Sequence, residues 1–191
     1  MKPTATPSEV VGVLERTLED LRTVTANSIE QFNVFARQIT AAVRDRGADG
    51  VNLDFEPLVP GYADEFTALV RKVRSTLKAA APGYQLTFDT TGWIGNYPIV
   101  AATKRGGADA INIMGYDYRT SGSRVAGSVD PMSGPAYDLA DTVRAYTARV
   151  SPSRIILGLP WYGRAWSTAD ASARSKTLSG AKYGYSTAVN Y

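Results

Sequence analysis

The sequence predicts an α/β fold in which strands alternate with helices and run parallel. Apolar residues recur at helical spacing in five segments, and short apolar or alternating runs fall between most of them. Strand, helix, strand order at this spacing implies parallel strands joined by right-handed crossovers. Neither a GxGxxG fingerprint nor a P-loop occurs, so a nucleotide-binding doubly wound sheet is the weaker reading.

Residues 8 to 22 carry Val10, Val11, Leu14, Leu18 and Leu21 along one helical stripe, after Ser8 as a cap. A second helix starts from a cap at Asn27 or Ser28, aligns Phe32, Phe35, Ile39 and Val43, and ends at Gly47. A strand over 50–56 follows. From about 63 to 80 a helix presents Phe66, Leu69, Val70, Val73 and Leu77 on one face, and Pro82-Gly83 separates it from a strand at 84–90. Tyr97 to Arg105 reads as a shorter helix, with Gly106-Gly107 as its stop and a strand over 109–116 beyond. Residues 137–149 form another helix and Arg154 to Leu159 another strand.

Composition narrows the chemistry. The 191 residues are 44% hydrophobic and 20% charged, a mixture able to bury one core. Net charge is +3 with no Lys/Arg run, so a nucleic-acid partner held by a basic patch is not expected. The chain has no Cys, hence no disulfide, thiolate metal site or cysteine nucleophile. It has no His either, which removes a Ser-His-Asp triad and histidine-ligated zinc. No cofactor and no metal are called for, and paired carboxylates are the natural remainder. No segment approaches the roughly 20 apolar residues of a membrane span.

The segment Asp49-Gly50-Val51-Asn52-Leu53-Asp54-Phe55-Glu56 carries the most information. Read as a strand it alternates, Val51, Leu53 and Phe55 to one side and Asn52, Asp54 and Glu56 to the other. A half-exposed surface strand would show the same pattern. Glu56-Pro57-Leu58-Val59-Pro60-Gly61 stops the strand, which puts Glu56 at its C-terminal tip, where α/β enzymes place catalytic groups. Two carboxylates two residues apart on one face are roughly 6.5–7 Å apart at Cα. An ionised Asp54 at that distance is expected to raise the pKa of Glu56 and keep it protonated as a general acid.

This segment resembles the Asp-Gly-x-Asp-x-Asp-x-Glu signature of the family 18 glycoside hydrolases, the chitinase-like (β/α)8 TIM barrels. Two further motifs follow in the family's order. Met114-Gly115-Tyr116-Asp117 is similar to the Met-x-Tyr-Asp of the sixth barrel strand, and Leu157-Gly158-Leu159-Pro160-Trp161-Tyr162-Gly163-Arg164 to the Gly-x-Pro-x-Tyr-Gly-Arg of the seventh. The resemblance implies a retaining hydrolase of β-1,4 bonds next to N-acetylglucosamine, in chitin or peptidoglycan, in which the substrate's own 2-acetamido carbonyl is the nucleophile. By that resemblance Glu56 is the general acid, Asp54 orients the acetamido group and stabilises the oxazolinium cation, and the Tyr116 hydroxyl bonds the acetamido oxygen. Met114 supplies apolar floor, Asp117 binds sugar hydroxyls, and Tyr162 and Arg164 line a subsite. Strand packing would explain Met114 equally well.

Asn52 departs from the family's commoner Asp. It cannot take a shared proton, yet it can still hold Asp54 by a hydrogen bond. Asn at this position also resembles the spore-cortex and peptidoglycan-directed branch. Trp93, Trp161 and Trp166 are candidates for stacking on sugars, with core packing as the blander account. Asp89 is a further polar candidate. Gly115 is expected either to leave room beside Tyr116 or to permit close packing.

By resemblance the four visible strands are the fourth to seventh, so residues 1–191 read as an incomplete barrel, with about 167–191 as the start of the small insertion between strands seven and eight. Such a piece, taken alone, is expected to expose two strand edges and to hydrolyse near background. A carbohydrate-binding barrel without activity, or an inactive remnant, is the alternative; the retained Glu56 speaks for the enzyme. The start of the chain shows no apolar signal region, while the resemblance implies an exported or cell-wall parent.

Overall fold

The computed structural model describes residues 29–134 and 136–184. The helix expected over 8–22 and the tail beyond 184 lie outside the described residues. In order, the elements are α1 (Ile29–Asp45), β1 (Gly50–Leu53), α2 (Ala63–Ala80), β2 (Gln85–Thr91), α3 (Ile99–Thr103), β3 (Ala110–Met114), α4 (Leu139–Thr147), β4 (Ile155–Gly158), β5 (Tyr162–Thr168) and β6 (Thr177–Gly184). One sheet has the order β1-β2-β3-β4, the other pairs β5 with β6. β1 runs parallel to β2, from Gly50 opposite Gln85 to Leu53 opposite Phe88. Sequential order in the larger sheet is what successive crossovers of one hand produce. Among the described residues the strands close no barrel, and no helix is long and apolar enough to cross a membrane.

The chain forms two compact units, the first holding residues up to Thr90 together with Asn96–Ile111, the second Thr91–Gly95 together with Asn112 onward. In the first unit α1 buries Phe35, Ala36, Ile39 and Val43. Its end is set by Gly47, which takes φ 63°, a left-handed conformation that costs glycine little. α2 buries Phe66, Leu69, Val70, Val73 and Leu77, the face its periodicity marks. Phe66 meets three rings edge-on, with centroids at 5.5 Å to Phe55, 5.4 Å to Phe88 and 6.4 Å to Tyr97. Such pairs add about 0.5–1.5 kcal/mol each beyond area burial. Arg74 of α2 pairs with Asp109, whose carboxylate also accepts the Leu86 N–H at 2.9 Å.

The strand expected over 50–56 is shorter than its alternation suggests. β1 leaves the ladder after Leu53, because Phe55 is recruited elsewhere: its ring packs on Phe66 and its carbonyl accepts the Tyr97 hydroxyl at 2.7 Å. Asp54 and Glu56 therefore stand on a segment fixed by side chains rather than by strand pairing.

In the second unit α4 begins at Asp138, whose carboxylate accepts the Asp141 N–H at 3.0 Å as an N-cap. It buries Leu139, Thr142 and Tyr146. β5 and β6 form an antiparallel pair running from Tyr162 opposite Gly184 to Thr168 opposite Thr177. Gly115 settles in favour of close packing: a Cβ there would stand 2.8 Å from both the Gly158 carbonyl oxygen and Leu157 Cδ1. The missing side chain serves the approach of β3 to β4, not access beside Tyr116.

Candidate active site

Asn52, Asp54 and Glu56 sit at and just beyond the C-terminal end of β1 in the first unit. Leu53 between them is fully buried, Asn52 and Asp54 are half-buried, and Glu56 is exposed. Asn52 faces Thr87 across the ladder and accepts its hydroxyl at 2.6 Å. Two side chains ahead of α3 pin the segment on either side of Glu56. Tyr97 donates to the Phe55 carbonyl, and Asn96 Nδ2 donates to the Leu58 carbonyl at 3.2 Å. The bond from Glu56 to Pro57 is cis. Burial pushes the Tyr97 hydroxyl up to about 12, and the carboxylates of Glu56, Asp54 and Asp89 push the same way. Tyr97 is thus a permanent donor at neutral pH. Asp89, in β2, is 9% exposed. Its charge reaches Tyr97 within the same unit.

The second unit carries a separate constellation. Ile113 of β3 is fully buried, while Asn112, Met114 and Tyr116 alternate with it as period two requires; Met114 is buried at 7% exposure. At Asp117 the backbone turns to φ 60°, a left-handed conformation that Asp tolerates better than most residues. One carboxylate oxygen of Asp117 accepts the Tyr162 hydroxyl at 2.7 Å and Arg164 at 2.6 Å. Burial raises the Asp117 pKa, but these two hydrogen bonds and the guanidinium charge outweigh it and hold the carboxyl below its usual range. Tyr162 moves the opposite way: burial first, then donation to Asp117, keeps its proton on well above the ordinary tyrosine range. The Tyr116 ring stands edge-on to Tyr162 at 5.9 Å.

Lys182 of β6 completes this group, with its ammonium 4.3 Å from the Tyr162 ring centroid and its residue opposite Arg164 in the hairpin. Neither Lys182 nor Tyr97 stands out in the sequence. Lys182 arrives through strand pairing of a segment with no hydrophobic alternation, and Tyr97 lies 42 residues along the chain from Phe55, whose carbonyl it bonds. Of the three tryptophans, Trp166 is taken up structurally, donating to the Thr120 carbonyl at 3.3 Å, while Trp93 and Trp161 are 44% and 77% exposed.

The Asp117 pair makes a pH prediction. The Arg164 side chain is only 8% exposed, so removing its counter-charge leaves a guanidinium in a dry place. Asp117 itself is 42% exposed, and this screening reduces the loss on Asp117→Asn to about 1–3 kcal/mol. Because the folded pKa is depressed, the contribution is fully present above the unfolded value near 3.8 and is lost as pH falls through the lower folded value. Thermal unfolding followed from neutral to acid pH should show the wild-type advantage shrinking below about pH 4. Parallel curves for the two proteins would contradict it.

The sequence model of the family described as Glycosyl hydrolases family 18 matches residues 17–189. This chain belongs to family 18. A Bacillus subtilis protein named as a sporulation-specific glycosylase, YdhD, is 33% identical over 129 residues, covering 65% of this chain and 29% of that protein. Chitinase 1 of Aphanocladium album is 31% identical over 157 residues, covering 74% of this chain and 37% of the chitinase. The chain thus spans about a third of the length of these relatives. In three dimensions it resembles the family 18 chitinase of Cycas revoluta, with a TM-score of 0.77 at 19% identity over 86% of this chain and 54% of the other. At that identity the likeness concerns the fold, a (β/α)8 barrel-like one.

Proposed function

We propose that the protein carrying this chain hydrolyses β-1,4 glycosidic bonds next to N-acetylglucosamine in chitin or peptidoglycan, with retention and with the substrate's acetamido group as nucleophile. The observation that carries this reading is Glu56. It is kept at the last position of the family signature, and it is exposed beyond the end of a parallel strand on a segment that Tyr97 and Asn96 hold in place. The names of similar proteins support the substrate class: chitinases, and one glycosylase tied to sporulation.

In this mechanism the acetamido carbonyl oxygen of the sugar attacks its own anomeric carbon as Glu56 protonates the departing glycosidic oxygen. The bond to the leaving sugar breaks and a cyclic oxazolinium forms. Ionised Asp54 orients the acetamido N–H and stabilises the cation. Tyr116 donates to the acetamido oxygen. Glu56, now a carboxylate, then takes a proton from the water that opens the ring, which restores the original configuration. Asn52 positions Asp54, and Met114, Asp117, Tyr162 and Arg164 contribute to sugar binding. Arg164 Nε is buried without an acceptor among the described residues, at a typical cost of about 1–3 kcal/mol. We read β1 to β4 as the fourth to seventh strands of the family barrel, and the chain from about residue 167 as the start of its insertion.

The test is substrate assistance. Oligosaccharides of N-acetylglucosamine should be cleaved, and glucose oligomers of the same length and linkage, which lack the internal nucleophile, should not. Equal cleavage of both would remove this mechanism.

A further inference from the structure

Tyr97 does more for the Glu56 segment than close one hydrogen bond. β1 pairs with β2 only as far as Leu53, opposite Phe88, so Phe55 to Leu58 lie past the ladder. The Tyr97 hydroxyl donates to the Phe55 carbonyl at 2.7 Å. Its oxygen also accepts the Leu58 N–H, which pulls the hydroxyl pKa down against the larger upward push of burial. The phenol therefore bridges the carbonyl and the N–H three residues on, the pair that a hydrogen-bonded turn would join directly. Beside it, Asn96 Nδ2 donates to the Leu58 carbonyl at 3.2 Å. Two consecutive side chains thus hold both backbone groups of Leu58 and the carbonyl of Phe55, and Glu56 lies between them.

The clamp is itself anchored. Tyr97 and Leu58 are both buried. The Tyr97 ring stands edge-on to Phe66 at 6.4 Å, and the same Phe66 ring holds Phe55 at 5.5 Å, so donor and acceptor residues share one buried support. The Tyr97 carbonyl accepts the Ile99 N–H at 2.9 Å, and Pro98 between them has its φ fixed by its ring. A carboxyl as exposed as that of Glu56 keeps little orientation of its own. What it has comes from the backbone beneath it, and that backbone is held here on both sides.

We propose that Tyr97 is a positioning residue for the general acid: by bridging Phe55 and Leu58 it fixes the peptide plane that enters Glu56, and so the direction in which the carboxyl delivers its proton. The Phe55 carbonyl and the Glu56 nitrogen belong to one rigid plane, so a bond to the first sets the second. General acid catalysis supplies about 10²–10⁴-fold, and it is realised only when the carboxyl meets the glycosidic oxygen in line. A displacement of roughly 1 Å costs on the order of 10²-fold. This role presupposes the hydrolase reading, with Glu56 as its acid.

The experiment compares two substrates in the protein carrying this chain: a chito-oligosaccharide, whose leaving sugar must be protonated, and the dinitrophenyl glycoside of the N-acetylglucosamine disaccharide, whose acidic phenol departs without a proton. The measured quantity is kcat/KM, which reports bond cleavage. Tyr97→Phe keeps the ring and removes the hydroxyl. It should lower kcat/KM about 10–100-fold on the oligosaccharide and less than about threefold on the aryl glycoside. In the Glu56→Gln background it should cost nothing further on the oligosaccharide, because the group it positions is gone. Equal losses on both substrates, or a further loss in that background, would make Tyr97 merely structural and leave the hydrolase reading standing. An intact protein that cleaves neither substrate would remove both. Asn96→Ala, at an exposed position, takes away only the bond to the Leu58 carbonyl and should show the same contrast at about threefold. It keeps the test decisive if thermal unfolding shows that Tyr97→Phe does not fold, and loss of the contrast there would overturn the clamp.

Discussion

In the protein carrying this chain, Glu56→Gln is expected to lower turnover of a chito-oligosaccharide by at least two orders of magnitude while leaving the protein folded. General acid catalysis contributes about 10²–10⁴-fold, and Gln removes the proton but keeps the shape and hydrogen-bonding reach of the side chain. Glu56 is exposed, and the segment around it is held through the carbonyls of Phe55 and Leu58, which the substitution does not touch. Its effect on stability should therefore fall within about 0.5 kcal/mol, as for other surface changes. Steady-state rates and thermal unfolding measured on the same sample separate the two effects. Turnover near that of the wild type would show that Glu56 is not the acid.

Asp54 is expected to matter as much, for a different reason. In the proposed mechanism it offsets positive charge that appears only when the oxazolinium forms, so its loss should fall on kcat rather than on KM. Removing one preorganised electrostatic partner of a transition state typically costs 10²–10³-fold. Asp54→Ala and Asp54→Asn should both reach that range, because Asn keeps the shape and loses the charge. If Asn retained most of the activity, the role of Asp54 would be geometric, and the cation would need another counter-charge.

Much of the architecture is legible in the sequence because burial on one face leaves a periodic record. α2 spans residues 63–80, and all five residues its pattern marks are buried, since an amphipathic helix cannot hide that face any other way. Gly47 likewise announces the end of α1. β1 is less faithful: Phe55 continues the alternation but is claimed by Phe66 and Tyr97, a tertiary contact that no local pattern reveals. β5 and β6 leave almost no record, because a two-stranded hairpin shelters neither face well; every β5 residue but exposed Ser167 is half-buried. For the same reason the candidate site is legible in its residues but not in its contacts. Tyr162, Arg164 and Asp117 are named by motif, yet their shared hydrogen bonds span 45 and 47 residues. The packing of Trp93 against Tyr118, past the end of β3, and Tyr137, just ahead of α4, is likewise long-range in sequence.

The measurement that bears most directly on the account is the anomeric form of the first-formed product, followed by proton NMR before mutarotation. With the substrate's acetamido group as nucleophile and Glu56 acting first as acid and then as base, the newly released reducing end should appear as the β-anomer, and the α-anomer should grow in only at the rate of spontaneous mutarotation. A first-formed α-anomer would mean direct displacement by water and would contradict the roles given to both Asp54 and Glu56.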